Sequence, residues 1–233
     1  MESDGTQSVQ FIFQGAFMKR YRYLLFDLDG TLTYSHKGIY ACMRYALSRY
    51  GIAPPSDEEL RKCVGPPLVY SFSEFFGLDE ENARRATAIY RERYSTVGWK
   101  ENEPIDGAKE LLCDLQKAGY TLALATSKPK IFAQKIVDEF GFTPYLSAVV
   151  GSGIDGSFPT KASVIEEAVR QLGANKAECL MVGDRFHDVE GARQAGVDVV
   201  GLDVGYAEVG ELQSCAPDYY CQTIEELQKT LLK

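Results

Sequence analysis

Residues Arg22 to Ser35 read RYLLFDLDGTLTYS. Tyr23 to Phe26 is a short apolar run of the kind that forms a buried strand. It ends on Asp27 and Asp29, one residue apart, with Gly30 and Thr31 directly behind them. Desolvation and mutual repulsion both oppose ionisation of two carboxylates at the mouth of a buried strand. Something else in the chain has to offset that cost.

Downstream of Gly107 the pattern alternates between strand and helix. "TLALAT" (121–126), "AVVG" (148–151), "CLMVGD" (179–184) and "VDVVGL" (197–202) read as strands. Between them lie helical stretches at 129–141, 161–173 and 188–196, with Pro129 in the first turn of one and Gly141 at its end. A last helix opens at Thr223, where Thr223 and Glu226 have the spacing of a capping box. Short apolar strands separated by helices imply an α/β fold, a Rossmann-like doubly wound parallel sheet covered on both faces. Residues 36–101 break the rhythm with four helical segments. The first places Ile39, Met43, Ala46, Leu47 and Tyr50 on one face, and the second is capped by Ser56 with Glu59. The expected organisation is a core of 18–35 and 102–233 with an all-helical cap inserted at 36–101. Residues 1–17 read as an extension ahead of a plausible start at Met18.

A chain of 233 residues with net charge −8 argues against nonspecific binding to nucleic acid or an anionic membrane, and no apolar run approaches a spanning helix. The six cysteines show no CxxC spacing, so reduced, partly buried thiols are expected. His36 and His187 are too few for a zinc site, and both are expected in solvated positions. Ala207 is assigned to a surface turn.

In an open parallel sheet, ligands bind beyond the carboxyl ends of the strands. The polar residues at those ends are Asp27 and Asp29, then Thr126, Ser127 and Lys128, then Lys161 at a helix start, and finally Asp184 and Asp188. Four carboxylates, a hydroxyl and a lysine converging on one edge constitute a site. A carboxylate attacks phosphorus only if it is ionised and close to an electron-rich phosphate. Mg²⁺, a hard ion that takes oxygen ligands, meets both demands.

The four motifs "DLDGTL", "ATSK", the lysine of "TKASVIEEA" and "VGDRFHD" resemble those of the haloacid dehalogenase superfamily of aspartate-nucleophile hydrolases. The resemblance runs from Met18 to Lys233. Within the superfamily, "KGIYACMRYAL", "VGPPL", "RERYSTVG" and "MVGDRFHDVEGARQAG" look like the phosphoglycolate phosphatase and 5′-nucleotidase-like branch. The resemblance implies that Asp27 is the nucleophile and Asp29 the acid/base. It implies Mg²⁺ held by Asp27, Asp184 and the backbone carbonyl of Asp29, with Asp188 a further ligand or an outer-shell group. Thr126, Lys161 and the backbone at Leu28 and Gly30 would hold the phosphoryl oxygens, and Ser127 would make a phosphate or cap contact. Lys37, Tyr40 and Arg44 on the first cap helix are the candidates for substrate selection, and Arg185 is expected to pair with a nearby carboxylate. The implied enzyme is a cytoplasmic phosphatase acting on a small phosphorylated metabolite, a monomer with a homodimer as the alternative. Two rivals use the same fold. A sugar phosphomutase shares both aspartates, whereas a dehalogenase needs neither the acid nor the metal.

Overall fold

The computed structural model describes residues 21–232 of the chain, so the expectations for residues 1–17 and for Met18 lie outside the described residues. The first half contains β1 (Tyr23–Phe26), β2 (Thr33–Tyr34), α1 (His36–Ser48), α2 (Asp57–Arg61), α3 (Leu68–Phe76), α4 (Glu80–Thr96), β3 (Glu103–Pro104) and α5 (Ala108–Lys117). There follow β4 (Thr121–Pro129), α6 (Lys130–Glu139), β5 (Leu146–Ser152), α7 (Lys161–Leu172) and β6 (Cys179–Gly183). The chain closes with α8 (Phe186–Ala195), β7 (Asp198–Leu202), α9 (Glu211–Cys215), β8 (Tyr219–Cys221) and α10 (Ile224–Leu231).

Six strands form one sheet in the order β5-β4-β1-β6-β7-β8, and every pairing in it is parallel. The period-two alternation of strands divides their side chains between two cores. Leu24, Phe26, Leu122, Leu124, Leu180 and Val182 pack on one face with α5, α6 and α10. Leu25, Ala123, Ala125, Cys179 and Met181 pack on the other with α7, α8 and α9. The chain leaves β1 towards β4 and β5, then returns across it to β6. The crevice where the strand order reverses therefore opens at the end of β1, where Asp27 stands.

Residues between β2 and β3 are helical and share a core of their own. Ile39, Met43, Ala46 and Leu47 of α1 are buried in it with Phe72, Tyr90 and Tyr94, whereas Tyr50 is only partly covered. That core reaches the sheet body through Phe132 and Tyr206. At the junctions of the insert, β2 and β3 pair as an antiparallel ribbon, Thr33 with Pro104 and Tyr34 with Glu103.

Several boundaries differ from the sequence reading. β4 runs to Pro129, which pairs with Ser152 in extended backbone, so α6 begins one residue later. α8 begins at Phe186, two residues early, because the Arg185 N–H is capped by the Asp188 carboxylate at 3.0 Å. Ser56 and Glu59 form the complete capping box. At α10 Thr223 accepts the Glu226 N–H, but the Glu226 carboxylate takes the Gln222 N–H in place of the cap residue's own. The short pieces α9 and β8 were not legible as separate elements. All six cysteines are free.

Candidate active site

Beyond Phe26 the backbone turns sharply. Gly30 has φ +85°, and its N–H donates to Thr33 O at 2.8 Å while the N–H groups of Leu32 and Thr33 return to Leu28 O. A Cβ on Gly30 would fall 2.2 Å from Asp184 Oδ2, and one on Gly205 would meet the same oxygen at 2.2 Å. Two bare backbones therefore clamp the Asp184 carboxylate. It also accepts from Tyr206 N at 2.7 Å and from Thr31 Oγ1 at 3.3 Å.

The sheet order brings Lys161 to this point. As the first residue of α7 it sends Nζ to within 2.8 Å of Asp27 Oδ1 and 2.7 Å of Asp188 Oδ1. Asp27, Asp184 and Asp188 each present an oxygen within 4.8 Å of the others. Burial, then the charges of Asp188 and Asp27, push the Asp184 carboxyl well above the usual carboxylate range. Burial also lifts Asp188 to about 6, against the opposing pull of Lys161. For Lys161, burial favours the neutral amine, but the two facing carboxylates outweigh it and hold the ammonium charged. One lysine does not balance three clustered carboxylates. Asp27 Oδ1 is sealed from solvent without a directed hydrogen bond, and the donors are hard oxygens, so these residues fit a divalent cation.

A cavity of about 410 Å³ lies over the site, bounded by Asp27, Asp29, Thr126, Ser127 and Lys128 on the sheet side. The Leu28 and Asp29 N–H groups make no hydrogen bond among the described residues, so the pocket beside Asp27 keeps two backbone donors. The Gly30 N–H, expected to be a third, is committed to Thr33. Thr126 Oγ1 accepts the Lys128 N–H at 3.2 Å, which leaves its own O–H to donate. The carboxylate of Asp29 lies outside the acidic trio; Oδ2 accepts from Lys128 Nζ at 2.6 Å, and Oδ1 is buried without a partner. Lys128 in turn lies over the Tyr94 ring, 5.1 Å from its centroid.

The three residues proposed for substrate selection are elsewhere. Lys37 pairs with Glu103 at 2.6 Å on the surface. Arg44 holds Pro55 O and the Asp57 carboxylate. Tyr40 is buried in the insert's core. None of them lines the cavity. The insert lines the cavity with Ile39 of α1, with the stretch from Gly65 to Val69 that leads into α3, and with Arg84, Thr87, Tyr90, Arg91 and Tyr94 of α4. Sequence shows this face only as an ordinary helical stripe of tyrosines and arginines, and nothing in the pattern separates cavity wall from core.

Arg185 pairs with Glu211 at 2.8 Å, as expected, and also donates to Val64 O at 2.7 Å. Arg61 answers from the insert, donating to Gly205 O and Ala207 O. Ala207 is thus a buried anchor for the insert and not a surface turn. Neither histidine is solvated as expected. His36 stands against Tyr206, with Nδ1 3.2 Å from its hydroxyl. His187 is half-buried, and burial, then Arg185, depresses it to about 4.

This geometry, a carboxylate trio and lysine at the switch point of a doubly wound sheet, has clear relatives. Residues 24–202 match the haloacid dehalogenase-like hydrolase family. A 5′-nucleotidase of Pseudomonas aeruginosa is 40% identical over 212 residues, 91% of this chain and 96% of that protein. The tyrosine-protein kinase PtkA of Mycobacterium tuberculosis is 39% identical over 210 residues, 89% of this chain and 72% of the kinase. The crystal structure of a predicted phosphatase from Clostridium acetobutylicum superposes with a TM-score of 0.88 at 39% identity, covering 91% of this chain and 98% of that one. The chain belongs to the haloacid dehalogenase-like hydrolases. It is an enzyme of the phosphatase kind within that family.

Proposed function

We propose that the protein hydrolyses small phosphomonoesters, phosphoglycolate phosphatase-like or 5′-nucleotidase-like, through an aspartyl-phosphate on Asp27, with Mg²⁺ as its cofactor. The observation that carries this reading is the position of Asp27. It lies on the cavity wall with the buried Lys161 ammonium 2.8 Å from its carboxylate, and the backbone N–H groups of the next two residues are uncommitted. Asp27, Asp184 and the Asp29 carbonyl would hold Mg²⁺, with Asp188 beside them, and the ion would supply charge neutralisation for the carboxylates and the phosphoryl group. An Asp27 oxygen bonds to phosphorus as the ester P–O bond breaks. Asp29, released from Lys128 and protonated from solvent, gives that proton to the departing alkoxide. It then takes a proton from the water that attacks the phosphoryl group, which frees phosphate and restores the Asp27 carboxylate. Lys161, the Thr126 hydroxyl and the amides of Leu28 and Asp29 hold the phosphoryl oxygens. Preorganised donors of this kind are worth about 3 kcal/mol each in the transition state. A dehalogenase would have no use for Asp29 as an acid.

Separating the two aspartates tests the scheme. Asp27→Asn is expected to abolish both turnover and covalent labelling. With p-nitrophenyl phosphate, whose leaving group needs no proton, Asp29→Asn is expected to release about one equivalent of nitrophenolate in a burst and then turn over slowly. Denaturing mass spectrometry would find the phosphoryl group on the peptide containing Asp27. Wild-type turnover of an alkyl phosphate by Asp29→Asn would refute the acid/base assignment.

A further inference from the structure

Helix α4 contributes five residues to the insert's side of the cavity. Arg84, Thr87, Tyr90, Arg91 and Tyr94 recur at three- and four-residue intervals, so one stripe of the helix points inward. Apart from Arg91, the described arginines are occupied. Arg84 and Arg85 take Glu80 and Glu81 one turn earlier, Arg93 takes Glu101, and Arg170 takes Glu167. Arg22, Arg44 and Arg185 hold carboxylates too, and Arg49, Arg61 and Arg193 hold a hydroxyl or carbonyls.

Among the described arginines only Arg91 has neither a hydrogen bond nor an ion pair to another described residue. Its Nε–H is shut off from solvent with no acceptor. The helix offers it no carboxylate, since the positions three and four residues away are Thr87, Ala88, Tyr94 and Ser95. The other cations on the cavity wall are Arg84 and Lys128, and they are held by Glu80 and Asp29. The carboxylates on that wall are Asp27 and Asp29, which face Lys161 and Lys128. An unanswered buried donor on a charged group is costly. The side chain that carries it lines the cavity, and its two terminal nitrogens are not sealed with Nε, so the guanidinium can meet a ligand there.

We infer that Arg91 receives a second oxyanion of the substrate, a carboxylate or a further phosphate carried by the alcohol half of the phosphomonoester. A planar guanidinium fork matches either group in two-point contact. The reacting phosphate belongs at Asp27, Thr126 and Lys161, and Lys161 does not line the wall where Arg91 stands. The two anionic ends are thus received by the sheet and by the insert separately. Arg91 is in this sense a specificity-determining residue. The inference rests on the phosphatase reading above.

The test compares kcat/KM, with Mg²⁺, on 2-phosphoglycolate, ethylene glycol bisphosphate and ethyl phosphate, which carry a second carboxylate, a second phosphate and neither. The wild type is expected to favour at least one acidic substrate over ethyl phosphate, and the favoured one identifies the oxyanion. Arg91→Met is expected to lower that preference ratio by about 10- to 100-fold, the loss of a charge-assisted pair. Arg91→Lys, which keeps the charge without the fork, is expected to lose part of it, and carries the test if a melt shows the Met variant unfolded. A purely structural role would lower all three rates together and leave the ratio unchanged. A wild-type ratio near one, or a ratio that stays within twofold in the variants while ethyl phosphate is still hydrolysed, overturns the inference and leaves the phosphatase reading standing. Release of no phosphate from any of the three, or from p-nitrophenyl phosphate, overturns that reading and this inference with it.

Discussion

Replacing Lys161 by Met keeps the length of the side chain and removes the one ammonium in contact with the acidic cluster. Its Nζ lies 2.8 Å from Asp27 and 2.7 Å from Asp188, and the three side chains are 5%, 10% and 2% exposed. Without it, three carboxylates within 4.8 Å of one another have no counter-charge in contact. Removing one partner of a buried pair costs about 3–5 kcal/mol, because the remaining charge stays desolvated. For a chain of this size each kcal/mol moves Tm by about 2–4 °C, so a fall of roughly 6–20 °C is expected in metal-free buffer at pH 8. The pH dependence follows from linkage. Asp184 and Asp188 have folded pKa values raised above the unfolded ones, Asp188 to about 6. Groups of this kind bind more protons in the folded state, so they destabilise increasingly as pH rises through the folded value. Loss of Lys161 raises Asp188 further, and the variant's deficit is expected to be smaller at pH 5 than at pH 8. Mg²⁺ is expected to recover more Tm in the variant than in the wild type. Calorimetry at the two pH values, with and without Mg²⁺, measures all three. A fall below about 3 °C at pH 8, or an equal fall at both pH values, would refute the reasoning.

EDTA is expected to abolish phosphate release and Mg²⁺ to restore it, with Ca²⁺ a poor substitute because its looser coordination does not hold the nucleophile in line; full turnover in chelator contradicts the assignment of the acidic trio. Gly191→Ala in α8 gains about 1 kcal/mol of helix propensity, but the new Cβ would lie 2.7 Å from Lys161 Cβ and Cγ. Tm and kcat are both expected to fall, and a raised Tm with unchanged kcat would show that Lys161 is not fixed by this contact. The Arg93 hydrogen bonds hold the Glu101 carboxyl below its ordinary range, and a depressed carboxylate stabilises above its unfolded pKa and loses that contribution as pH falls through the folded value. Arg93→Met is therefore expected to lose less Tm than the wild type between pH 6 and pH 3, and parallel curves would count against the pair.

The strand-to-aspartate junction at Phe26–Asp27, the alternation after Gly107 and the helical stretch from 36 to 101 were all legible in the chain. Periodicity and strand-end chemistry are local properties, and a parallel sheet places its strand ends together whatever the loops do. Asp27, Asp29, Thr126, Lys161, Asp184 and Asp188 could be listed for that reason alone. Which residues of the insert face them is a different kind of fact. The stripe of α1 holding Tyr40 and the stripe of α4 holding Tyr90 and Arg91 have the same helical period, and only the packing of the four helices on the sheet decides that one is core and the other cavity wall. The same holds for Lys37 and Arg44, whose partners Glu103 and Asp57 are brought to them by the fold. Tertiary structure also committed the Gly30 N–H to Thr33, turned Asp29 to Lys128 and buried Ala207 under Arg61. Helical and strand period record how a segment repeats against its own axis, whereas burial and pairing depend on what the rest of the chain lays beside it.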